Sequence, residues 1–203
     1  IPPYAVAYSY ADISDSIQNY SFLDIRSKMG AIFILSITLY PYVFLISKYS
    51  FLKNAHRTME AAANLGANKI ELFYKFALPL SRPAIAASMA LVIMETLADF
   101  GVVHFLGVDS LSVGIYKAWF GLEDINSSAR LASILFSFAF LIVFLEKLLR
   151  RKEGEQYVAY GSLNKSELFK NPTFIPIFFL LILLLLSFFI PILWLISNVF
   201  KSD

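Results

Sequence analysis

Apolar positions along the chain fall into long unbroken runs separated by polar, charged stretches. Residues 29–47 (MGAIFILSITLYPYVFLIS) and 171–200 (NPTFIPIFFLLILLLLSFFIPILWLISNVF) contain no charged residue. A helix needs about 20 apolar residues to cross a bilayer, so both runs predict spanning helices. The whole pattern predicts complete spans at 29–49, 84–103, 130–148 and 173–198, with 1–11 the tail of a further helix. Pro41 and Pro191 fall inside two of these spans. Proline removes a backbone donor and bends a helix, which a membrane bundle tolerates when a neighbour serves the freed carbonyl. The expected fold class is an all-α membrane protein, a helical transmembrane bundle.

Composition strengthens this reading. Hydrophobic residues make up 58% of the 203 and charged residues 16%, with a mean hydropathy of +0.66. A soluble domain carries about a quarter charged residues. No cysteine is present, which excludes disulfides and thiolate metal sites. A net charge of +2 offers nucleic acid no electrostatic footprint. The chain opens on Ile1 inside an apolar stretch, as expected of an interior piece of a longer protein.

Lysine and arginine then orient the spans. Of 17, twelve cluster around two loops: Lys48, Lys53, Arg57, Lys69, Lys75 and Arg82, then Lys147, Arg150, Arg151, Lys152, Lys165 and Lys170. The positive-inside rule places 51–82 and 149–172 in the cytoplasm, and segments 12–28 and 104–129 outside. The run Arg150-Arg151-Lys152 is read as a topology anchor, and His56 beside Arg57 as a solvated loop residue. The outer stretch LSVGIYKAWFGL (111–122) holds Tyr116, Trp119 and Phe120 close together. Aromatic residues favour the water–lipid boundary, so a short helix along the interface is expected there. His104, at the outer end of its span, is read as an interfacial residue.

The cytoplasmic stretch 51–83 (FLKNAHRTMEAAANLGANKIELFYKFALPLSRP) is too long for a simple turn. Met59, Ala62, Ala63 and Gly66 follow the spacing of one helix face, and their small size would let another protein's backbone approach. Gly66 ends that helix. Asn68 followed by Glu71 has the form of an N-terminal cap with a carboxylate three residues on. The second helix is expected from Lys69 to Ala77, stopping before Pro79.

On these residues a resemblance can be stated. Glu60-Ala61-Ala62, three residues, Gly66, nine residues, Phe76, one residue and Leu78-Pro79 resembles the EAA loop of ATP-binding-cassette (ABC) importer permeases, with Phe76 where isoleucine is usual. METLADFG (94–101), FLGV (105–108) and LSVGIYKAWFGL (111–122) are similar to the iron(III) permease subfamily, in which two permease halves are fused. The resemblance implies a bundle of the ABC importer permease type. Residues 1–150 would be the C-terminal part of a first half, 151–172 a cytoplasmic linker, and 173–203 the first span of a second half. It also implies that the elbow formed by Met59, Glu60, Ala61, Ala62, Ala63, Gly66, Phe76, Leu78 and Pro79 contacts a separate cytoplasmic ATPase, present in two copies. ATP and magnesium would be used by that partner, with no cofactor on this chain. An extracytoplasmic iron-binding protein would deliver cargo, and the setting would be the bacterial cytoplasmic (inner) membrane, crossed several times.

Glu95 and Asp99 share a helix face at i, i+4. With a span starting near Ala84, Glu95 is expected about 18 Å into it, at 1.5 Å per residue. Ionisable groups at such depth usually face a cavity or a partner. Glu95, Asp99 and Tyr40 on the neighbouring span are therefore candidates for the translocation path. Oxygen donors suit iron(III), a hard cation, as passing cargo; no resident metal site is assigned. Permeases for thiamine, polyamine or sulfate share the loop and stand as alternatives. An intramembrane enzyme or a proton-driven secondary transporter using the two carboxylates would leave the elbow unexplained. No phosphate-binding glycine-lysine loop is present, so ATP hydrolysis is not assigned to this chain.

Overall fold

The computed structural model describes residues 1–16, 24–51, 62, 66, 68–152 and 174–201. The elements are α1 (Pro3–Ser16), α2 (Lys28–Ser50), α3 (Lys69–Glu71), a π-helical segment π1 (Leu72–Ala77), α4 (Leu78–Ala98), α5 (Gly101–Phe105), α6 (Leu111–Tyr116), π2 (Lys117–Gly121), α7 (Ile125–Lys152), α8 (Phe174–Leu184), π3 (Leu185–Phe189) and α9 (Ile190–Lys201). All regular structure among the described residues is helical. Four stretches are long and apolar enough to cross a membrane: Lys28–Ser50, Leu72–Ala98, Ile125–Leu148 and Pro176–Phe200. They correspond to the four complete spans expected, with shifted ends.

The largest shift concerns the second span, and it corrects two expectations. The helix that begins at Lys69 does not stop before Pro79; it continues through π1 into α4. The reason is the π turn. Leu78 donates its N–H to Phe73 O, five residues back. A proline ring crowds the carbonyl four residues before it in α geometry, and the wider turn moves that carbonyl aside. The same arrangement recurs at π3, where Ile190 donates to Leu185 O immediately before Pro191. At its far end the span stops at Ala98 rather than 103, because Asp99 and Phe100 break the helix ahead of α5. The third span starts at Ile125 rather than 130: Asp124 caps it, its Oδ1 accepting from Ser127 N–H at 3.0 Å.

The described residues fall into two compact units. The first contains Ile1–Tyr40, Glu95–Phe138 and Thr173–Asp203. Its core joins Val6, Ala7 and Ala11 of α1 to Ile34, Val102, Leu106 and Val113. The small residues of α1 let α5 and α9 pack against it, and Tyr4 and Tyr8 meet Phe105 at 5.3 and 5.9 Å. At the start of α2 a Cβ on Gly30 would overlap Ile25 O, so glycine is required there.

The second unit contains Pro41–Met94 and Ala139–Pro172. Ala62, Leu72, Ala77, Ser81 and Ser88 are buried in it, and Phe51 stacks on Phe73 at 6.2 Å. Large apolar side chains are exposed in both units, Phe136, Phe179 and Leu181 in the first and Phe140 and Phe144 in the second. Exposed apolar surface on this scale needs another apolar phase to cover it, and a bilayer supplies one.

Candidate coupling elbow and intramembrane polar groups

The elbow is built by local backbone chemistry. Gly66 sits in a turn at φ +89°, a left-handed conformation that costs other residues about 1–2 kcal/mol. A Cβ there would meet nothing within 4 Å, so backbone strain alone reserves the position for glycine. Asn68 then opens α3: its carbonyl accepts from Leu72 N–H at 2.9 Å, and its own N–H donates to Glu71 Oε2 at 3.3 Å. The carboxylate half of the expected cap is formed. Glu71 Oε1 also accepts from Lys75 Nζ at 2.9 Å, and the Lys75 bond, ahead of the Asn68 bond, holds the Glu71 carboxyl below its ordinary range.

Of the other elbow residues, Ala62 is helical and buried, at 6% exposure. Phe76, Leu78 and Pro79 are half-buried across the junction of π1 and α4. Met59, Glu60, Ala61, Ala63, His56 and Arg57 lie outside the described residues. Sequence reasoning overlooked Ile70, Phe73 and Tyr74, which are exposed at 67%, 44% and 64%. Their i, i+3, i+4 spacing was the available signal. They give the second helix of the elbow an apolar outer face.

Glu95 lies within one turn of the end of α4 at Ala98, and its side chain is exposed. Asp99 is one turn further on, its N–H donating to Glu95 O at 3.0 Å. Asp99 Oδ1 accepts from Val102 N–H at 3.0 Å and Val103 N–H at 3.4 Å, so the side chain caps α5. Its carbonyl accepts from Ser112 Oγ at 2.7 Å, and Ser112 in turn meets Ser110, the cap of α6. Asp99 thus ties the end of α4 to α5 and to the 110–112 turn. Tyr40 is half-buried on α2. Among the described residues no three histidine, aspartate or glutamate side chains gather as metal ligands.

The 111–121 segment forms a helix, as expected. Val113 and Ala118 are buried while Tyr116, Trp119 and Phe120 stay exposed. His104 stacks on Phe100 at 4.8 Å and meets Tyr116 at 5.5 Å. Lys117 Nζ bonds Asp109 Oδ1 at 2.7 Å, which lowers the Asp109 carboxyl below its usual range.

A polar group that sequence reasoning did not single out lies on α1. Asp12 Oδ2 accepts from Trp194 Nε1 at 2.7 Å and from Asn198 Nδ2 at 2.6 Å. Two residues earlier, Tyr10 donates its hydroxyl to Leu186 O at 2.8 Å. In the π register Leu186 O would take the N–H that Pro191 lacks, so tyrosine supplies the missing donor. Trp194 and Asn198, four apart on an apolar helix, were the legible signal.

A helical chain with four candidate spans defines a multi-pass membrane protein. The chain belongs to the family described as the binding-protein-dependent transport system inner membrane component, whose profile matches residues 2–155. Among curated proteins it is 27% identical over 125 residues to the Fe(3+)-transport system permease protein FbpB 2 of Haemophilus influenzae, covering 61% of this chain and 24% of that one. It is 36% identical over 99 residues to the ferric transport system permease protein FbpB of Actinobacillus pleuropneumoniae, covering 47% and 14%. The sulfate transport system permease protein CysT of Salmonella typhimurium matches at 29% over 109 residues, covering 50% and 38%. The chain therefore spans about a quarter or less of the length of these two iron relatives. No solved structure matches.

Proposed function

We propose that this chain is part of the transmembrane permease of an ABC importer in the bacterial inner membrane, carrying iron(III) and driven by two copies of a separate cytoplasmic ATPase. The observation that carries the reading is the elbow: the spacing from Glu60 to Pro79 in a basic loop, a left-handed Gly66 and a capped second helix. A helical elbow between two spans could transmit force, whereas a slack loop could not. Closure of the two ATPases would press two such elbows together and switch the spans between inward- and outward-open states. Met59, Glu60, Ala61, Ala62, Ala63, Gly66, Phe76, Leu78 and Pro79 form the contact, with Ile70, Phe73 and Tyr74 adding apolar surface beside it.

Iron(III) is supported by the 94–122 resemblance and by the names of two relatives. Glu95 and Tyr40 are the oxygen donors proposed to line its path, with Asp99 holding the outer segment beside them. An extracytoplasmic binding protein would present the ion, since a permease that chelated tightly could not release it. The sulfate relative, together with a matching polyamine permease, keeps a second cargo reading open. The test is reconstitution of the full-length protein with its ATPase. Iron(III) with its binding protein should stimulate ATP hydrolysis, while sulfate and spermidine should not. Stimulation by either of those, or uptake driven by a proton gradient without ATP, would contradict the reading.

A further inference from the structure

The polar contacts between α1 and the 174–201 helix serve neither the elbow nor the proposed ion path. Asp12 receives two N–H donors on one carboxylate oxygen, from Trp194 and Asn198. Tyr10 fills the acceptor vacated by Pro191. Pro191 itself is fully buried, and Ser9 Oγ lies 3.5 Å from its carbonyl oxygen. Apolar contacts between two membrane helices permit sliding and rotation, because lipid is as apolar as leucine. Bonds from fixed positions on one helix to fixed positions on the other do not.

We propose that Asp12 and Tyr10 form a register lock between the two permease halves, with Asp12 a positioning residue that acts as a hydrogen-bond acceptor and not as an ion-path charge. The inference rests on reading 173–203 as the first span of the second half. The lock holds α1 and the 174–201 helix as one body, so that motion started at the elbows reaches both halves together.

The acceptor role separates two substitutions of Asp12. In Asp12→Asn the amide oxygen can still take both donors; in Asp12→Ala nothing can. The measurements are iron(III) uptake into proteoliposomes and the ultraviolet resonance Raman signal of the Trp194 N–H, isolated as the difference from Trp194→Phe. Asp12→Ala should lower uptake about threefold to fifteenfold, the range that interhelical hydrogen bonds span in membranes, and should shift Trp194 to a weakly bonded indole. Asp12→Asn should stay near wild type in both. Equal loss in the two variants, or an unshifted indole in Asp12→Ala, would overturn the proposal. If Asp12→Ala does not accumulate in the membrane, Trp194→Phe and Asn198→Leu replace it. Their losses should be less than additive because they share one acceptor, and full additivity would overturn the lock. A wild type that transports a different cargo would count against iron alone, leaving the indole comparison intact.

Discussion

At the scale of single residues, two glycines act for opposite reasons. Gly66 has space around it but sits at φ +89°, so Gly66→Ala should cost about 1–2 kcal/mol of local backbone strain and loosen the elbow while the spans still insert. Gly30 has ordinary backbone but no space, its would-be Cβ overlapping Ile25 O. Gly30→Ala should therefore destabilise the first unit by about 1–3 kcal/mol or more, read as a lower unfolding temperature in detergent. The elbow cap also has a pH signature. Glu71 is held below its ordinary range chiefly by its bond to Lys75, so its contribution is present above the unfolded carboxylate value and lost as pH falls through the depressed one. Protection of the 68–72 amides from hydrogen exchange should fall on acidification in the wild type. In Glu71→Gln that acid dependence should be absent, and its persistence there would rule out Glu71 as the source.

At the scale of elements, two of the prolines inside the long helices follow a π turn, while Pro41 and Pro83 sit in α-helical turns. Pro79 and Pro191 each follow an i→i+5 turn by one residue, and each helix continues through. At Pro79 the wider turn moves the crowded carbonyl aside, so the end expected before it was not found. The Tyr10 hydroxyl completes the repair at Pro191. Tyr10→Phe should cost about 0.6–1.7 kcal/mol, and the cost should vanish in a Pro191→Ala background, where the backbone regains its own donor. Equal losses in both backgrounds, measured by reversible unfolding in mixed micelles, would show that the hydroxyl does something else.

Across the whole molecule, sequence showed most where one physical rule dominates. The four spans were legible because length and apolarity alone decide them, and the cap at Asn68 and Glu71 because it is local. Span ends were less so: Ala98 replaced 103 because the Asp99 cap on α5 is set by backbone amides of Val102 and Val103, which leaves Glu95 within one turn of the helix end. The Asp12 contacts with Trp194 and Asn198 join residues far apart in sequence, so only the fold could pair them. The expected contact surface at Met59, Glu60, Ala61 and Ala63 lies outside the described residues. The contact itself is best tested directly, by co-purifying the full-length permease with its ATPase from membranes, wild type beside Gly66→Glu. The account predicts a complex with the wild type and loss of both ATPase binding and uptake in Gly66→Glu, with the permease still inserted. Unchanged binding and uptake in Gly66→Glu would contradict it.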